Sequence, residues 1–158
     1  MASEKASSLQ PGDPAPDFEL LTDAGETFRL SSLAGKKVVL YFYPRADTPG
    51  CTREACEFRD HLPRIERKGT VVLGISPDKP ASQARFKQKH RLPFTLLSDT
   101  EHKVAQAYGV WKEKSMYGKK TWGIERTTFL IDEQGKIARI FPKVKVDGHA
   151  AEVLAALG

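Results

Sequence analysis

One segment of the chain, residues 41–60 with the sequence YFYPRADTPGCTREACEFRD, constrains its fold and chemistry more than any other. The segment begins inside the run VVLYFY, which is typical of a strand buried on both faces of a sheet. Pro44 and a short turn follow, and Cys51 then opens a stretch with helical spacing of apolar residues. A thiol at a helix N-terminus lies beside unpaired backbone N–H groups and the positive end of the helix dipole. We therefore expect Cys51 to be a thiolate more often than a free cysteine is.

Strand-like and helix-like segments alternate along the rest of the chain. Apolar runs such as TVVLGI predict buried strands, and amphipathic stretches between them predict helices. A mixed central sheet with helices on both faces follows from this order, that is, an α/β fold of the thioredoxin-like class. We predict strands at 17–20, 26–30, 36–43, 70–75, 95–97, 127–131 and 136–141, helices at 51–68, 80–91, 101–108 and 149–157, and a basic loop at 112–120.

The chain of 158 residues is long enough for one domain with a substantial core. We expect residues 1–11 to form a flexible N-terminal tail and residues 12–158 a single domain. Within it, Ser31 or Ser32 should cap one helical turn, and Pro63 should kink or divide the long helix.

The chain has two cysteines, Cys51 and Cys56. Most free cysteines are small buried apolar residues, but the turn before Cys51 favours a reactive thiol. Pro49 fixes φ there, and Gly50 lets the backbone approach a ligand closely. Such a thiol could attack a disulfide, a carbonyl or a peroxide.

Several other kinds of cysteine site fit the sequence poorly. A cysteine protease needs a histidine base, and no histidine closely flanks the motif. The C-x-x-x-x-C spacing differs from the C-x-x-C of a thioredoxin centre, and a zinc site needs about four ligands. The histidines are scattered and expected at the surface: His61, His90, His102 and His149.

Peroxide reduction needs a thiolate, hydrogen-bonding groups for the peroxide oxygens and a pocket that excludes bulk solvent. Pro44 can form a wall of such a pocket, and the Thr48 hydroxyl can donate to or accept from the thiolate or the peroxide. A guanidinium would add permanent charge and fixed donors.

Pro44, Thr48 and Cys51 form the pattern P-x-x-x-T-x-x-C, which is similar to the active-site signature of peroxiredoxins. The whole segment YFYPRADTPGCTREACEFRD resembles the peroxiredoxin Q, or bacterioferritin comigratory protein, branch. The resemblance extends over DPAPDFEL, VVLGIS, LPFTLLSD and MYGKKTWGIERTTFLID, and so over nearly the whole chain from residue 12.

The resemblance implies a thiol peroxidase in which Cys51 is the peroxidatic cysteine and Cys56 the resolving cysteine. It places the second active-site arginine at Arg126, just before TFLID. The peroxide would contact Gly50, Thr48 and Arg126, and we expect Glu54 to orient the arginine. Arg45, Arg53 and Arg59, which flank the motif, are expected to face solvent or form salt bridges.

The implied partners are a peroxide substrate and thioredoxin or a similar dithiol reductant, with no metal, haem or flavin. Both cysteines lie in one chain, so we expect a monomer. The net charge of +5 is spread among acidic residues and predicts a solvated basic surface without nucleic-acid binding. No apolar run approaches membrane-spanning length, so we expect a cytoplasmic protein without membrane contact. A redox sensor or holdase that uses the same thiol pair stays open at this stage.

Overall fold

The structure is a computed structural model that describes residues 9–158, apart from the side chain of Met116. The predicted tail, residues 1–11, therefore lies almost entirely outside the described residues. The division into a tail and a single domain stays a prediction.

The strands are β1 (Glu19–Thr22), β2 (Thr27–Arg29), β3 (Lys37–Phe42), β4 (Thr70–Ser76), β5 (Thr95–Ser98), β6 (Trp111–Met116), β7 (Lys119–Ile124), β8 (Thr127–Ile131) and β9 (Ile137–Phe141). Seven of them form the central sheet in the order β2-β1-β5-β4-β3-β8-β9, while β6 and β7 form a separate two-stranded sheet. β3 pairs in parallel with β4 and antiparallel with β8. The central sheet is therefore mixed, as predicted.

Helices cover both faces of this sheet, which confirms the predicted thioredoxin-like α/β fold. Within residues 9–158 they are α1 (Pro49–Glu66), α2 (Pro80–His90), α3 (Lys103–Ala107) and α4 (His149–Ala156). Side chains of β3 alternate between the faces. Tyr41 belongs to the apolar cluster formed with α1, α2 and α4, whereas Phe42 belongs to the cluster formed with α3.

α1 begins at Pro49, so Cys51 lies in its first turn, as the sequence indicated. Proline suits this first helical position, because its missing N–H would have no helical partner there. Pro63 lies inside α1 without dividing it, contrary to one of the two predicted effects. Each proline removes a single N–H, and the backbone bond from Arg67 N to Pro63 O at 3.2 Å continues the helix beyond it.

The predicted basic loop at 112–120 is wrong, because β6 and β7 pair across this region in an antiparallel hairpin. Its turn uses Tyr117 and Gly118, whose φ angles of 52° and 78° are both positive. Two such residues suit the tight turns that join hairpin strands. Charged side chains on both strands conceal the alternating pattern that would have predicted them.

The predicted serine cap is also wrong. A 3₁₀ turn spans Leu30–Leu33, so Ser31 and Ser32 lie inside it and not at its start. Asp17 Oδ1 accepts a hydrogen bond from Ser31 N at 2.9 Å, and a side chain distant in sequence thus holds this turn.

Phe58 packs α1 against the sheet, and removal of its side chain should destabilise the protein strongly. The ring is 0% exposed and stacks on Tyr41 at 4.7 Å between ring centroids. We expect Phe58→Ala to lower the free energy of unfolding by about 3–5 kcal/mol, measured by urea denaturation, because the change leaves a cavity. Leu21→Ala is the control, since Leu21 is 45% exposed and should cost about 0.5 kcal/mol or less. Equal effects of the two changes would contradict this account of the core.

Candidate active site

Hydrogen bonds that the sequence pattern did not reveal hold the turn between β3 and α1. Asp78 Oδ2 accepts a hydrogen bond from Ala46 N at 2.7 Å. The Thr48 hydroxyl donates to the carbonyl oxygen of Arg45 at 2.9 Å. Together these bonds define the path of the chain immediately before Cys51.

Three side chains meet at the start of α1. Cys51 is 1% exposed, and its Sγ lies 3.4 Å from Nη2 of Arg126. Nη1 of Arg126 donates to Glu54 Oε1 at 2.6 Å. The structure thus brings together the cysteine and the arginine that the sequence singled out, with Glu54 as the partner of the arginine.

Gly50 leaves space for the guanidinium. A Cβ atom at this position would lie 3.2 Å from Arg126 Nη2, closer than nearly all such contacts. A side chain here would therefore require Arg126 to shift slightly from its position beside Cys51. The absence of a side chain explains why glycine suits this position, although its φ is not positive.

Burial dominates the electrostatics of Glu54. It raises the pKa of this carboxyl to about 7, against the attraction of the Arg126 guanidinium, which acts in the opposite direction. Burial alone would lower the pKa of Arg126, but the neighbouring Glu54 and Cys51 raise it overall. Arg126 is therefore a permanent positive charge beside the sulfur. Glu54 Oε2 and the Tyr41 hydroxyl are buried, and neither has a hydrogen-bond partner within residues 9–158.

Thr48 and Pro44 lie in the turn between β3 and α1, and within the described residues neither forms a hydrogen bond with the sulfur. Both residues are partly exposed. The single hydroxyl hydrogen of Thr48 is donated to Arg45, so the lone pairs of its oxygen are available to accept from a ligand. A cavity of about 520 Å³ lies on the α2 side of the turn, and Cys51 does not line it.

Cys56 lies on α1 with Cys51, and both thiols are free. Cys56 is partly buried, whereas Cys51 is fully buried. Residues five apart on a helix are separated by about 7.5 Å of rise and point to different sides. The structure therefore keeps the two cysteines of the motif apart.

His149 is not at the surface, contrary to the sequence-based expectation. It is 2% exposed, and its Nε2 lies 2.8 Å from the Thr128 hydroxyl. Its ring packs edge-on against Phe58 of α1. Burial lowers the pKa of His149. Sequence spacing gave no sign of this, because the contact joins α4 to β8 and α1.

Two of the flanking arginines form salt bridges, as expected. Arg53 pairs with Asp147 at 3.1 Å, and Arg59 pairs with Asp60 at 3.0 Å. A further buried contact has no signal in the sequence: the Tyr43 hydroxyl donates to Gln83 Oε1 at 2.5 Å. These residues are far apart in the chain, so only folding brings them together.

Among the described residues, no group of three or more His, Cys, Asp or Glu side chains is arranged to hold a metal ion. No helix within residues 9–158 is long and apolar enough to cross a membrane.

The sequence matches the AhpC/TSA family over residues 11–140. A Bcp peroxiredoxin of Coxiella burnetii is 57% identical over 150 residues, which cover 95% of this chain and 99% of that protein. Peroxiredoxin Bcp of Bacillus subtilis is 51% identical, covering 95% and 96% respectively. A structure of the Xanthomonas campestris bacterioferritin comigratory protein, described with its alkyl peroxide reduction activity, superposes with a TM-score of 0.88 at 40% identity and covers 96% of both chains.

A thioredoxin-like sheet with a buried thiol at a helix start, beside an arginine, defines the class as that of the peroxiredoxins, enzymes that reduce peroxides with cysteine thiols. The chain belongs to the AhpC/TSA family, and its relatives are of the Bcp, or peroxiredoxin Q, type. This family implies a peroxide substrate and a thiol reductant.

The buried carboxyl of Glu54 should make stability depend on pH. With a pKa of about 7 in the folded protein, against an ordinary value of 4.5, Glu54 keeps its proton when the unfolded chain has already lost it. Folding is therefore penalised increasingly as the pH rises through this interval. We expect the free energy of unfolding of the wild type to fall by about 3 kcal/mol relative to Glu54→Gln between pH values of about 4 and 8.

The measurement is urea denaturation of both proteins across this pH range. Glu66→Gln removes an exposed carboxylate of the same helix and controls for the loss of charge alone. The assignment would be contradicted if the free energy of unfolding of the wild type, relative to that of Glu54→Gln, stays constant or rises with pH.

Proposed function

We propose that this protein reduces hydrogen peroxide and organic hydroperoxides with Cys51 as the peroxidatic thiol. The observation that carries the proposal is the 3.4 Å contact between Cys51 Sγ and Arg126 Nη2. The guanidinium places a positive charge and a hydrogen-bond donor beside the sulfur that attacks the peroxide. The alkyl peroxide reduction described for the Xanthomonas relative supports the inclusion of organic hydroperoxides.

In the first step the Cys51 thiolate attacks one oxygen of the peroxide. An S–O bond forms as the O–O bond breaks, and two electrons pass from sulfur to the peroxide. Cys51 becomes a sulfenic acid, and the departing oxygen takes up a proton and leaves as water or an alcohol.

Groups at the start of α1 bind the peroxide and stabilise the charge that develops on it. Arg126 donates from its guanidinium, while the N–H groups of Gly50 and Cys51 lie in the first turn, where they lack helical partners. The Thr48 side chain forms no capping hydrogen bond with these N–H groups. Its hydroxyl oxygen accepts a hydrogen bond from the O–H of the peroxide. Pro44 forms a wall that excludes water from the reacting atoms.

Cys56 then resolves the sulfenic acid. Its thiol attacks the sulfur of Cys51, an S–S bond forms and water leaves. Disulfide-bonded residues have Cα atoms about 4.4–6.8 Å apart, which is less than the rise of about 7.5 Å between these positions in a helix. The first turns of α1 therefore unwind in every cycle, although Cys51 needs the folded helix for attack on the peroxide.

A dithiol reductant closes the cycle by exchange. Its two thiols become a disulfide while those of Cys51 and Cys56 are restored, which transfers two electrons and two protons. Thioredoxin is the proposed reductant, in keeping with the family resemblance. The two cysteines are in one chain, so the cycle needs no second subunit, and we propose a monomer in the reducing cytoplasm.

The first test is peroxide consumption with thioredoxin, thioredoxin reductase and NADPH, comparing hydrogen peroxide with a bulky organic hydroperoxide. Many equivalents consumed per protein identify a catalyst. A redox sensor needs only one oxidation per event, so a single equivalent would contradict the proposal.

Arg126→Ala should slow the reaction of Cys51 with hydrogen peroxide by about a hundredfold or more, since a charge and an aligned donor are lost together. Stopped-flow measurement of the second-order rate constant tests this. Arg126→Lys keeps the charge but lacks the planar guanidinium, so its rate constant should lie between those of the wild type and Arg126→Ala. Arg64→Ala is the control, because Arg64 is exposed near the far end of α1. An Arg126→Ala rate within threefold of the wild type would rule out the proposed role.

Oxidation should unfold the first part of α1 and leave the sheet intact. We expect amide protection to fall from Thr52 to about His61 in the disulfide form, whereas β4 from Val71 to Ile75 stays protected. Hydrogen exchange read by mass spectrometry on reduced and oxidised protein measures this. Equal protection in both states, with the disulfide confirmed by mass, would show that α1 does not unwind.

Cys56→Ser supplies the chemical counterpart of that experiment. It should reduce about one equivalent of peroxide, stop at the sulfenic acid and then over-oxidise. Sustained thioredoxin-dependent turnover in this variant would mean that Cys56 is not the resolving cysteine.

A further inference from the structure

The hairpin of β6 and β7, residues 111–124, exposes an unusual amount of aromatic surface. Within residues 9–158 three large apolar side chains are exposed, and two of them are on this hairpin. Tyr117 at its tip is 97% exposed, and Trp122 on β7 is 56% exposed. Two exposed aromatic side chains on one short hairpin offer apolar surface to another molecule.

A stack of rings supports Trp122 from below. Trp111 lies parallel to His102 at 3.9 Å between ring centroids, and Trp122 stacks on Trp111 at 6.3 Å. The strand register pairs Glu113 with Trp122 and Ser115 with Lys120. Side chains alternate along a strand, so Lys120 and Trp122 share one face of the hairpin. Trp122 therefore lies next to Trp111 on the hairpin face that also carries Lys120.

The charge of the hairpin is strongly positive. It carries four lysines and one acidic residue, an excess of three positive charges: Lys112, Lys114, Lys119, Lys120 and Glu113. A surface of this sign attracts a partner whose contact region is acidic, and such charges mainly increase the rate of association.

The hairpin joins the central sheet at the end of the strands where the thiol lies. β7 ends at Ile124, two residues before Arg126, and the backbone bond from Glu125 N to Val110 O at 2.8 Å closes the base of the hairpin. β8 runs antiparallel to β3, so the start of β8 lies beside the end of β3 that leads to Cys51. The base of the hairpin therefore lies at the same end of the central sheet as the thiol.

We propose that the hairpin is the docking surface for the protein dithiol that reduces the Cys51–Cys56 disulfide, and that this partner presents an apolar contact with an acidic rim. The inference rests on the proposed function. Thiol–disulfide exchange forms a mixed disulfide, so the reductant must bring a sulfur to within about 2 Å of its target. A strand of six residues is about 20 Å long, so the hairpin offers a partner at this end of the sheet a contact surface of about that length.

Steady-state turnover tests the aromatic part of the surface, using an acidic thioredoxin with thioredoxin reductase, NADPH and saturating hydrogen peroxide. We expect Trp122→Ala to raise the KM for thioredoxin about tenfold, because buried aromatic residues dominate such contacts. Trp122→Phe should restore most of the affinity. Leu21→Ala removes the exposed apolar side chain of β1 and should leave this KM unchanged.

A matched pair of charge reversals tests the electrostatic part. Lys120→Glu should lower kcat/KM for thioredoxin and weaken its decline with added salt. Lys36→Glu changes the net charge equally at an exposed position directly before β3, at the opposite end of that strand from Cys51. It should have little effect. Equal effects of the two reversals would overturn the assignment of the acidic rim to this surface.

Dithiothreitol separates docking from chemistry. Turnover of Trp122→Ala with dithiothreitol should equal that of the wild type, because a small dithiol needs no docking surface. If the wild type consumes no peroxide with dithiothreitol, the proposed function fails. If it does, but Trp122→Ala leaves the KM for thioredoxin unchanged or loses dithiothreitol turnover equally, the docking inference fails alone. Dissociation of a wild-type dimer by Trp122→Ala, seen by sedimentation, would also overturn it in favour of self-association.

Discussion

The contact of Arg126 with both Cys51 and Glu54 is the interaction on which the rest of the site depends. A guanidinium with only 17% of its side chain exposed needs a counter-charge. Glu54 provides it from the same helix turn that carries the thiol, and Arg126 directs its other nitrogen to the sulfur. Without Arg126 the Glu54 carboxyl would lose the attraction that opposes the effect of burial on its pKa, and without Glu54 the guanidinium would lose its hydrogen-bonded partner.

α1 has to be stable when it is folded and yet able to unwind at its start and fold again in each cycle. Its last two core residues, Leu62 and Ile65, lie beyond the segment expected to unwind, whereas Cys56 within that segment is partly exposed. The anchoring side chains therefore follow the segment that carries both thiols. A helix built this way can open at its start while its last turn stays packed on the sheet, since each part has its own set of contacts.

Much of this could be predicted from the sequence, because periodicity and turn residues are local signals. The buried strand β3, the helix that begins just before Cys51 and the order of the elements followed from such patterns. The hairpin of β6 and β7 did not, because its lysines occupy positions where alternating apolar residues would have indicated strands. The prediction that His149 lies at the surface was likewise wrong, since the residues next to it in the chain give no indication of its contact with Thr128.

By itself the sequence determined that a thiol would stand at a helix start, and that Cys56 would follow at a spacing an intact helix cannot bridge. These are local properties of a few consecutive residues. Only the tertiary structure decided that Glu54 would bind Arg126, and that the other oxygen of its carboxyl would be buried with no hydrogen-bond partner in the described part of the chain. That contact joins residues 72 positions apart, and it exists because the pairing of β8 with β3 places the arginine over the start of α1.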